Sequence, residues 1–396
     1  MVYAVYFLIL ATIIPFTISL SSDNLVQTLA QWVPKEVGFF AGASLVLAMS
    51  IFKGKQNVNT FNNKWIAALF VYVVLQFIWK FYIPIISMDV TGGYVVKFWA
   101  MRPFLNILLG VLLIKTLVEN FSVGEWVKVS KFLCWVGFIL SIYSIFQWFG
   151  VDQIFLKHYK LSHSNGLAVR KDFMMTFLTN HILSSNYIAL VAPLCLMFKE
   201  LRYKIFFVVM AVSACMADSL TSYAALALAV LAYLAFCSKW KALIFAGILI
   251  LTLSIFMNVK HKNYFSFNGR TALWKDSINL VLKENPYTGF GIGSYPRKHK
   301  LGNQLALSAH NEFVQSLSEG GFLFIIIIGG YLVTLFRRAI FSILDKRFIM
   351  TICFFCGFLG FFVISNGSFP FRFAPLATLG ILYIANLEAL IGGNDV

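Results

Sequence analysis

Gly320-Gly-Phe-Leu-Phe-Ile-Ile-Ile-Ile-Gly-Gly-Tyr-Leu-Val-Thr-Leu-Phe336 runs without a charged side chain and stops at Arg337-Arg338. A helix needs about 17–25 mostly apolar residues to cross the hydrocarbon of a bilayer, and this stretch reaches that length. Comparable runs occur at 2–20, 37–52, 65–86, 98–118, 132–150, 181–198, 205–217, 223–238, 242–258, 348–365 and 374–391, giving about twelve in all. Composition agrees, with 60% hydrophobic and 12% charged residues and a mean hydropathy of +0.80. A soluble domain carries about 25% charged residues, so the apolar excess here must face lipid. Soluble-enzyme, nucleic-acid-factor and disordered-tail readings are thereby excluded. The expected fold is all-α, a polytopic helical membrane protein of about twelve transmembrane helices, with residues 1–396 as a single integral membrane domain. The first run lacks a basic leading segment and reads as a span rather than a cleaved signal.

Charge sets the expected orientation. Short loops at 53–64, 115–131, 199–204, 239–241 and 337–347 carry fifteen Lys and Arg, whereas the alternate short loops carry only Lys35, Lys80, Lys97 and Arg372. Cytoplasmic loops hold the excess of cations, so both termini are expected in the cytoplasm. Two longer outer loops break the bias. Residues 151–180 carry Lys157, Lys160, Arg170 and Lys171, and residues 259–312 carry eight more cations, among them Arg270, Lys275 and Arg297. Two readings stand for these: a solvated loop surface, or a site for an anion such as a phosphate or diphosphate. All six histidines (His158, His163, His181, His261, His299 and His310) fall in those two loops or at their edges. Spans without histidine argue against a proton-relay transporter and direct attention to chemistry at the outer face. The cations are spread between spans rather than gathered in one patch, which argues against nucleic acid despite a net charge of +16. All six cysteines lie in or beside apolar segments, and the Cys353-x-x-Cys356 pair reads as small packing residues.

The segment 268–324 carries the motifs. It reads Asn268-Gly-Arg270-x-x-x-Trp274, then Asn285-Pro-x-x-Gly289-x-Gly291-x-Gly293-Ser-Tyr295, then His310-Asn-Glu312-x-x-Gln315-x-x-x-Glu319-Gly-Gly. In order and spacing this resembles the O-antigen ligase and polymerase superfamily of bacterial glycan enzymes. Arg170 followed by Ser185-Asn186-Tyr187-Ile188-Ala189 is similar to a second segment of that family. The resemblance implies a GT-C-like enzyme of the bacterial inner membrane with a long outer, periplasmic loop between spans nine and ten. Residues 259–319 would form that loop and its re-entry segment, with 151–180 as a further outer loop. It implies a glycan donor carried on undecaprenyl diphosphate and an acceptor such as lipid A–core oligosaccharide, in a setting of membrane lipids and with no cofactor. One departure stands out. Where the family often has Thr-x-Ser/Thr-Arg, this chain has Leu220-Thr221-Ser222-Tyr223, so the cationic clamp must come from Arg170, Arg270, Arg297 or a nearby lysine.

The residue types suit glycosyl transfer. A departing diphosphate accumulates negative charge that fixed cations stabilise, and the planar fork of arginine holds phosphate oxygens in pairs. Arg270, following a glycine that lets the backbone turn, is the first choice. Ser308 is a candidate N-cap, which would put His310 in the first turn of the re-entering helix, where the dipole favours neutral imidazole. Such an imidazole can take a proton from an attacking hydroxyl; holding acceptor or diphosphate is its alternative role. Glu312, Gln315 and Glu319 share a helical face, to orient His310 or an acceptor hydroxyl, or to pair with a loop lysine. The expected catalytic set is therefore His310, Arg270 and Glu319, and the expected substrate-binding set is Arg170, Arg297, Asn311, Glu312, Tyr223 and Gly291. Gly289-x-Gly291-x-Gly293 lacks the strand–helix setting of a nucleotide loop and reads as a turn bringing backbone close to substrate or to a neighbouring helix. No Asp-x-Asp pair occurs, so no metal site is expected.

Within the family, ligase is the favoured expectation. A polymerase acting on another carrier-linked glycan, or a transferase of glycan to protein, shares the donor chemistry. The rival from another class is a transporter or flippase for the same lipid-linked glycan.

Overall fold

The computed structural model describes residues 1–13, 24–53, 63–78, 93–149, 178, 181–217, 219–237, 240, 244, 247, 268–295, 300–301, 304–305, 309–346, 348–368 and 370–392. Within them the chain is a helical membrane protein. Its helices are α1 (Val2–Ile13), α2 (Asn24–Lys53), α3 (Lys64–Gln76), α4 (Gly93–Asn120), α5 (Val123–Trp148), α6 (His181–Val191), α7 (Leu201–Met216), α8 (Leu220–Phe236), α9 (Asn268–Glu284), α10 (Glu312–Lys346), α11 (Ile349–Gly367) and α12 (Ala374–Gly392). A short antiparallel pair, β1 (Lys300–Leu301) and β2 (Gln304–Leu305), is the one strand pairing among the described residues. Six helices (α2, α4, α5, α10, α11 and α12) contain stretches long and apolar enough to cross a membrane, and shorter apolar helices occur at Val2–Ile13, Lys64–Gln76, Ile182–Met197 and Leu220–Phe236. The apolar run at 242–258 lies outside the described residues apart from Ile244 and Gly247. The outer loop 151–180 lies outside them except for Leu178.

Several helices extend past the apolar runs that announce them, which corrects the placement of some cations. Lys35, assigned to a loop, is a buried residue inside α2, beside Glu36, whose carboxylate accepts from Asn106 Nδ2 of α4 at 3.1 Å. Lys115, Lys128 and Lys131 likewise belong to α4 and α5, which only Phe121 and Ser122 separate. The reason is that a helix satisfies its own backbone beyond the hydrocarbon edge, where the long side chains of exposed Lys115 and Lys128 can reach polar surroundings. Ser122 and Glu125 form a capping box that starts α5, and Glu125 also receives Lys53 Nζ at 2.6 Å. At α10, Arg338 pairs with Glu388 of α12 at 2.8 Å, and the α3 cap Asn63 donates to the same carboxylate at 3.0 Å.

The apolar core is assembled around α12. It packs on α4, α11 and α1, and 83% of its spanning window is buried in protein, against 33% for α10. Small residues permit the closest approaches: a Cβ on Gly42 of α2 would lie 2.7 Å from Leu8 Cα of α1, and one on Gly380 of α12 would lie 2.7 Å from the Phe361 ring of α11. Without a hydrophobic drive between helices in lipid, such close packing is what holds them together. The buried centre of the bundle thereby fixes the turn between α11 and α12, on which the site is built.

Candidate active site at the start of α10

Asn311 begins α10. Its Oδ1 accepts from Phe313 N at 2.9 Å and Val314 N at 3.1 Å, while its Nδ2 donates to Asn366 O at 3.0 Å. A side chain that satisfies the first free N–H groups of a helix is its N-cap, so the cap is Asn311, and Ser308 lies outside the described residues. His310 consequently precedes the helix instead of occupying its first turn. Its φ of 52° makes it the one non-glycine residue with positive φ among those described. Such a conformation costs on the order of 1–3 kcal/mol and persists only where its surroundings impose it.

Those surroundings come from α9. Arg270 and Trp274 are four residues apart and so share a helical face. Trp274 Nε1 donates to Ala309 O at 2.6 Å, and Arg270 Nη1 donates to Gly367 O at 3.2 Å, at the carbonyl end of α11. This explains the Asn-Gly-Arg-x-x-x-Trp spacing. It also corrects one detail, because Gly269 lies within α9 and not at a turn ahead of Arg270. One turn further, Ser277 Oγ and Tyr295 OH lie 2.8 Å apart beside a small apolar cluster of Leu273, Tyr295 and Ala309. Although exposed at its surface, the His310 imidazole is crowded by enough protein that desolvation, and then the Arg270 charge, hold its pKa below the ordinary 6.5. The neutral form, able to accept a proton, is therefore the one present at neutral pH.

Behind His310 lies a buried ionic cluster. Arg372, in the turn between α11 and α12, donates through Nε to Glu312 Oε1 at 3.3 Å. Its Nη1 and Nη2 reach Glu319 Oε1 and Oε2 at 3.2 and 3.0 Å. Glu319, 1% exposed, also accepts from Gln315 Nε2 at 3.2 Å and from Gly293 N at 2.9 Å. Each of its oxygens thus has two donors. Gln315 Oε1 in turn accepts from Ala309 N at 3.1 Å. Burial lowers the Arg372 pKa, but the Glu319 and Glu312 carboxylates outweigh it and leave the guanidinium above its usual value. Among the described residues, Glu312 Oε2 is buried with no hydrogen-bond partner. Glu312, Glu319 and Arg372 line a mainly apolar cavity together with residues such as Ile107, Phe324 and Phe358, about 1290 Å³ with the open space at its mouth included.

The glycine segment is stitched onto a break in α10. Gly321 has φ 66° and ψ −169°, a conformation for glycine alone. Phe290 N and Gly291 N donate to Ser318 O and Glu319 O at 2.9 and 2.8 Å, and Phe322 N and Leu323 N donate back to Pro286 O and Tyr287 O at 2.9 and 3.1 Å. Of the two roles foreseen for this turn, the structure shows the close approach to a neighbouring helix. From α3, Tyr72 OH reaches Gly320 O at 2.5 Å and Gln76 Nε2 reaches Thr288 O at 2.8 Å.

Of the sequence-derived residues, Arg270, Asn311, Glu312, Glu319, His310 and the Gly291 backbone thus belong to one connected region. Tyr223 sits in the first turn of α8, where its N donates to Ser219 O at 3.0 Å. Next to it, Thr221 Oγ1 donates to Asn186 Oδ1 of α6 at 3.0 Å, and Gly367 packs its backbone on the Thr221 side chain. The Ser-Asn-Tyr-Ile-Ala segment and the Thr-Ser-Tyr segment therefore meet. Arg170 and Arg297 lie outside the described residues. Arg372 was assigned no role from sequence. Its signal is that it is the only charged residue between Arg347 and Glu388, and a lone cation in an apolar stretch marks a buried partner or a site.

Fold and site together define a polytopic helical membrane protein with a polar, histidine-bearing centre built at the mouth of a long apolar helix. Residues 205–329, which include Arg270, Gly291, His310, Glu312 and Glu319, match the family model described as O-antigen ligase. The match covers 125 of 396 residues, so the similarity to the O-antigen ligase family extends over about a third of the chain. No curated protein matches the chain.

Proposed function

We propose that the protein is a glycosyltransferase of the ligase type, moving a glycan from undecaprenyl diphosphate to lipid A–core oligosaccharide in lipopolysaccharide assembly. It would work at the periplasmic face of the inner membrane, with about twelve GT-C-like spans and both termini in the cytoplasm. The observation that supports this best is the placement of His310. A neutral imidazole stands ahead of α10 on a backbone of left-handed conformation, with the Arg270 charge acting on it and Trp274 holding the preceding Ala309 carbonyl, all within the segment similar to O-antigen ligase. In this reading His310 takes the proton of the acceptor hydroxyl as its oxygen bonds to the anomeric carbon. The bond from that carbon to the diphosphate oxygen breaks, and the carrier diphosphate leaves.

Arg270 supports departure of the diphosphate, its guanidinium having donors beyond the one given to Gly367 O. Arg170 and Arg297 serve the same anion from the outer loops, and Tyr223 and the Gly291 turn flank the substrate. Asn311 and Glu312 hold the start of α10 beside it. Glu319, with both oxygens engaged, positions Gly293 and Arg372. The test is transfer by purified protein supplied with a carrier-linked glycan and, separately, core lipid or a second carrier-linked repeat. Product on core lipid supports the ligase, product only on the carrier-linked repeat supports a polymerase, and movement of donor across vesicles without any product overturns the enzyme reading.

A further inference from the structure

Three residues, Asn366 and Gly367 at the end of α11 and Arg372 in the turn that leads to α12, hold several parts of the site. Asn366 O takes the Asn311 side chain, which caps α10 next to His310. Gly367 O takes Arg270. Arg372 grips Glu312 and, with two parallel bonds, Glu319, which in turn holds Gly293 of the glycine segment. Within this turn Arg372 is the only charged side chain. It is 9% exposed, and it lies beyond the segment that matches the O-antigen ligase family. A paired guanidinium and carboxylate fix orientation as well as distance, and removing one partner of a buried pair is far more disruptive than replacing the whole set.

We propose that Arg372 is a positioning residue: by anchoring this turn beneath α10 it sets the separation of Arg270 from His310, and so the geometry of proton transfer and diphosphate departure. The proposal rests on the glycosyl-transfer reading for its kinetic consequence, but the positioning itself has a readout that needs no turnover. The described elements around His310 carry Arg270, Lys275, Asp276, Lys283 and Glu284 on α9, Glu312 and Glu319 at the site end of α10, and Arg372 in the turn. Of these, Arg270 is the one whose charge lowers the imidazole pKa. Desolvation is the larger cause of the lowering and the Arg270 charge the second; if the anchor is lost, Gly367 O no longer holds Arg270 in place, and the imidazole midpoint rises by the part that this charge supplies.

The experiment compares the parent with Arg372→Lys and with the triple variant Arg372→Leu/Glu312→Gln/Glu319→Gln. The triple removes the pairing without leaving a buried charge unmatched and guards against simple misfolding. Two quantities are measured on protein of matched membrane level: the His310 titration by NMR of labelled imidazole, and the saturated transfer rate with KM for donor and acceptor. The expected result is an upward move of the His310 midpoint in both variants. The saturated rate should fall about 10- to 100-fold, as misplacement by about an ångström does, with each KM within a few fold. An unmoved His310 midpoint in the folded triple variant overturns the proposal whatever the rate does. A moved midpoint in a protein that transfers no glycan even as the parent upholds the positioning and overturns the function assigned to it.

Discussion

His310 is where conformation and acid–base chemistry meet. Its positive φ is imposed by neighbours on both sides, Trp274 on the Ala309 carbonyl and Asn311 capping α10. Because desolvation and the Arg270 charge lower its pKa, the base form persists below the pH at which a free histidine would be half protonated. The pH profile of kcat/KM, which follows the base of the free enzyme, should therefore fall on acidification with a midpoint below 6.5. A decline centred above 6.5 would contradict the assignment. His310→Ala should insert and fold as the parent does yet lose about 10²–10⁴-fold in saturated rate, the usual worth of a general base. A loss within about threefold would rule out base catalysis by this residue, and a change confined to the acceptor KM would make it a binding residue. Arg270→Lys should also impair transfer, since an ammonium cannot serve Gly367 O and a diphosphate with the geometry of a planar fork. Turnover equal to the parent would exclude the clamp.

The elements explain why these residues stay where they are. Gly289 and Gly321 face each other backbone to backbone: a Cβ on Gly289 would lie 2.6 Å from Gly321 N, and both have positive φ. Gly321→Ala should lower the unfolding midpoint in detergent, with a stability loss of at least about 1–3 kcal/mol from backbone strain alone. Gly329→Ala, in the same helix and with open space around the added carbon, should leave the midpoint unchanged or slightly raised. Equal midpoints for the two variants would mean that the break at Gly321 is not needed. Much of this level was legible in sequence. The apolar runs marked α2, α4, α5, α10, α11 and α12 as long and apolar enough to cross a membrane, and the spacing of Arg270 and Trp274 marked one face of α9. Helix ends were less legible, because hydropathy reports the hydrocarbon edge and the hydrogen-bonded backbone continues beyond it, as at Lys35 and Lys128. The cap was misplaced because Ser308 and Asn311 both suit it, and only the geometry shows which N–H groups are reached. Arg372 went unassigned since its partners lie 60 and 53 residues away in sequence, and no periodicity reports such a pairing.

At the scale of the molecule, α12 and α11 form a buried frame, and the site sits on their connecting turn. Ion pairs tie helices together elsewhere, with Lys53 to Glu125 and Arg338 to Glu388 on helix ends that the cation bias assigns to the cytoplasm. That assignment predicts sidedness. A cysteine introduced at Lys275 of α9, which is exposed, should be labelled in intact cells by a membrane-impermeant reagent. One at exposed Arg202 at the start of α7 should be labelled only after the membrane is opened. The reverse pattern would invert the orientation and move the site to the cytoplasmic face. The central claim, glycan transfer from a lipid diphosphate by the His310 centre, is tested most directly by reconstituting the parent and His310→Ala with defined undecaprenyl-diphosphate-linked glycan and lipid A–core acceptor. The account predicts glycan-bearing core lipid and released carrier diphosphate in equal amounts from the parent, and at least about a hundredfold less of both from the variant. Equal product from the two proteins, or carrier diphosphate without glycan-bearing acceptor, would contradict it.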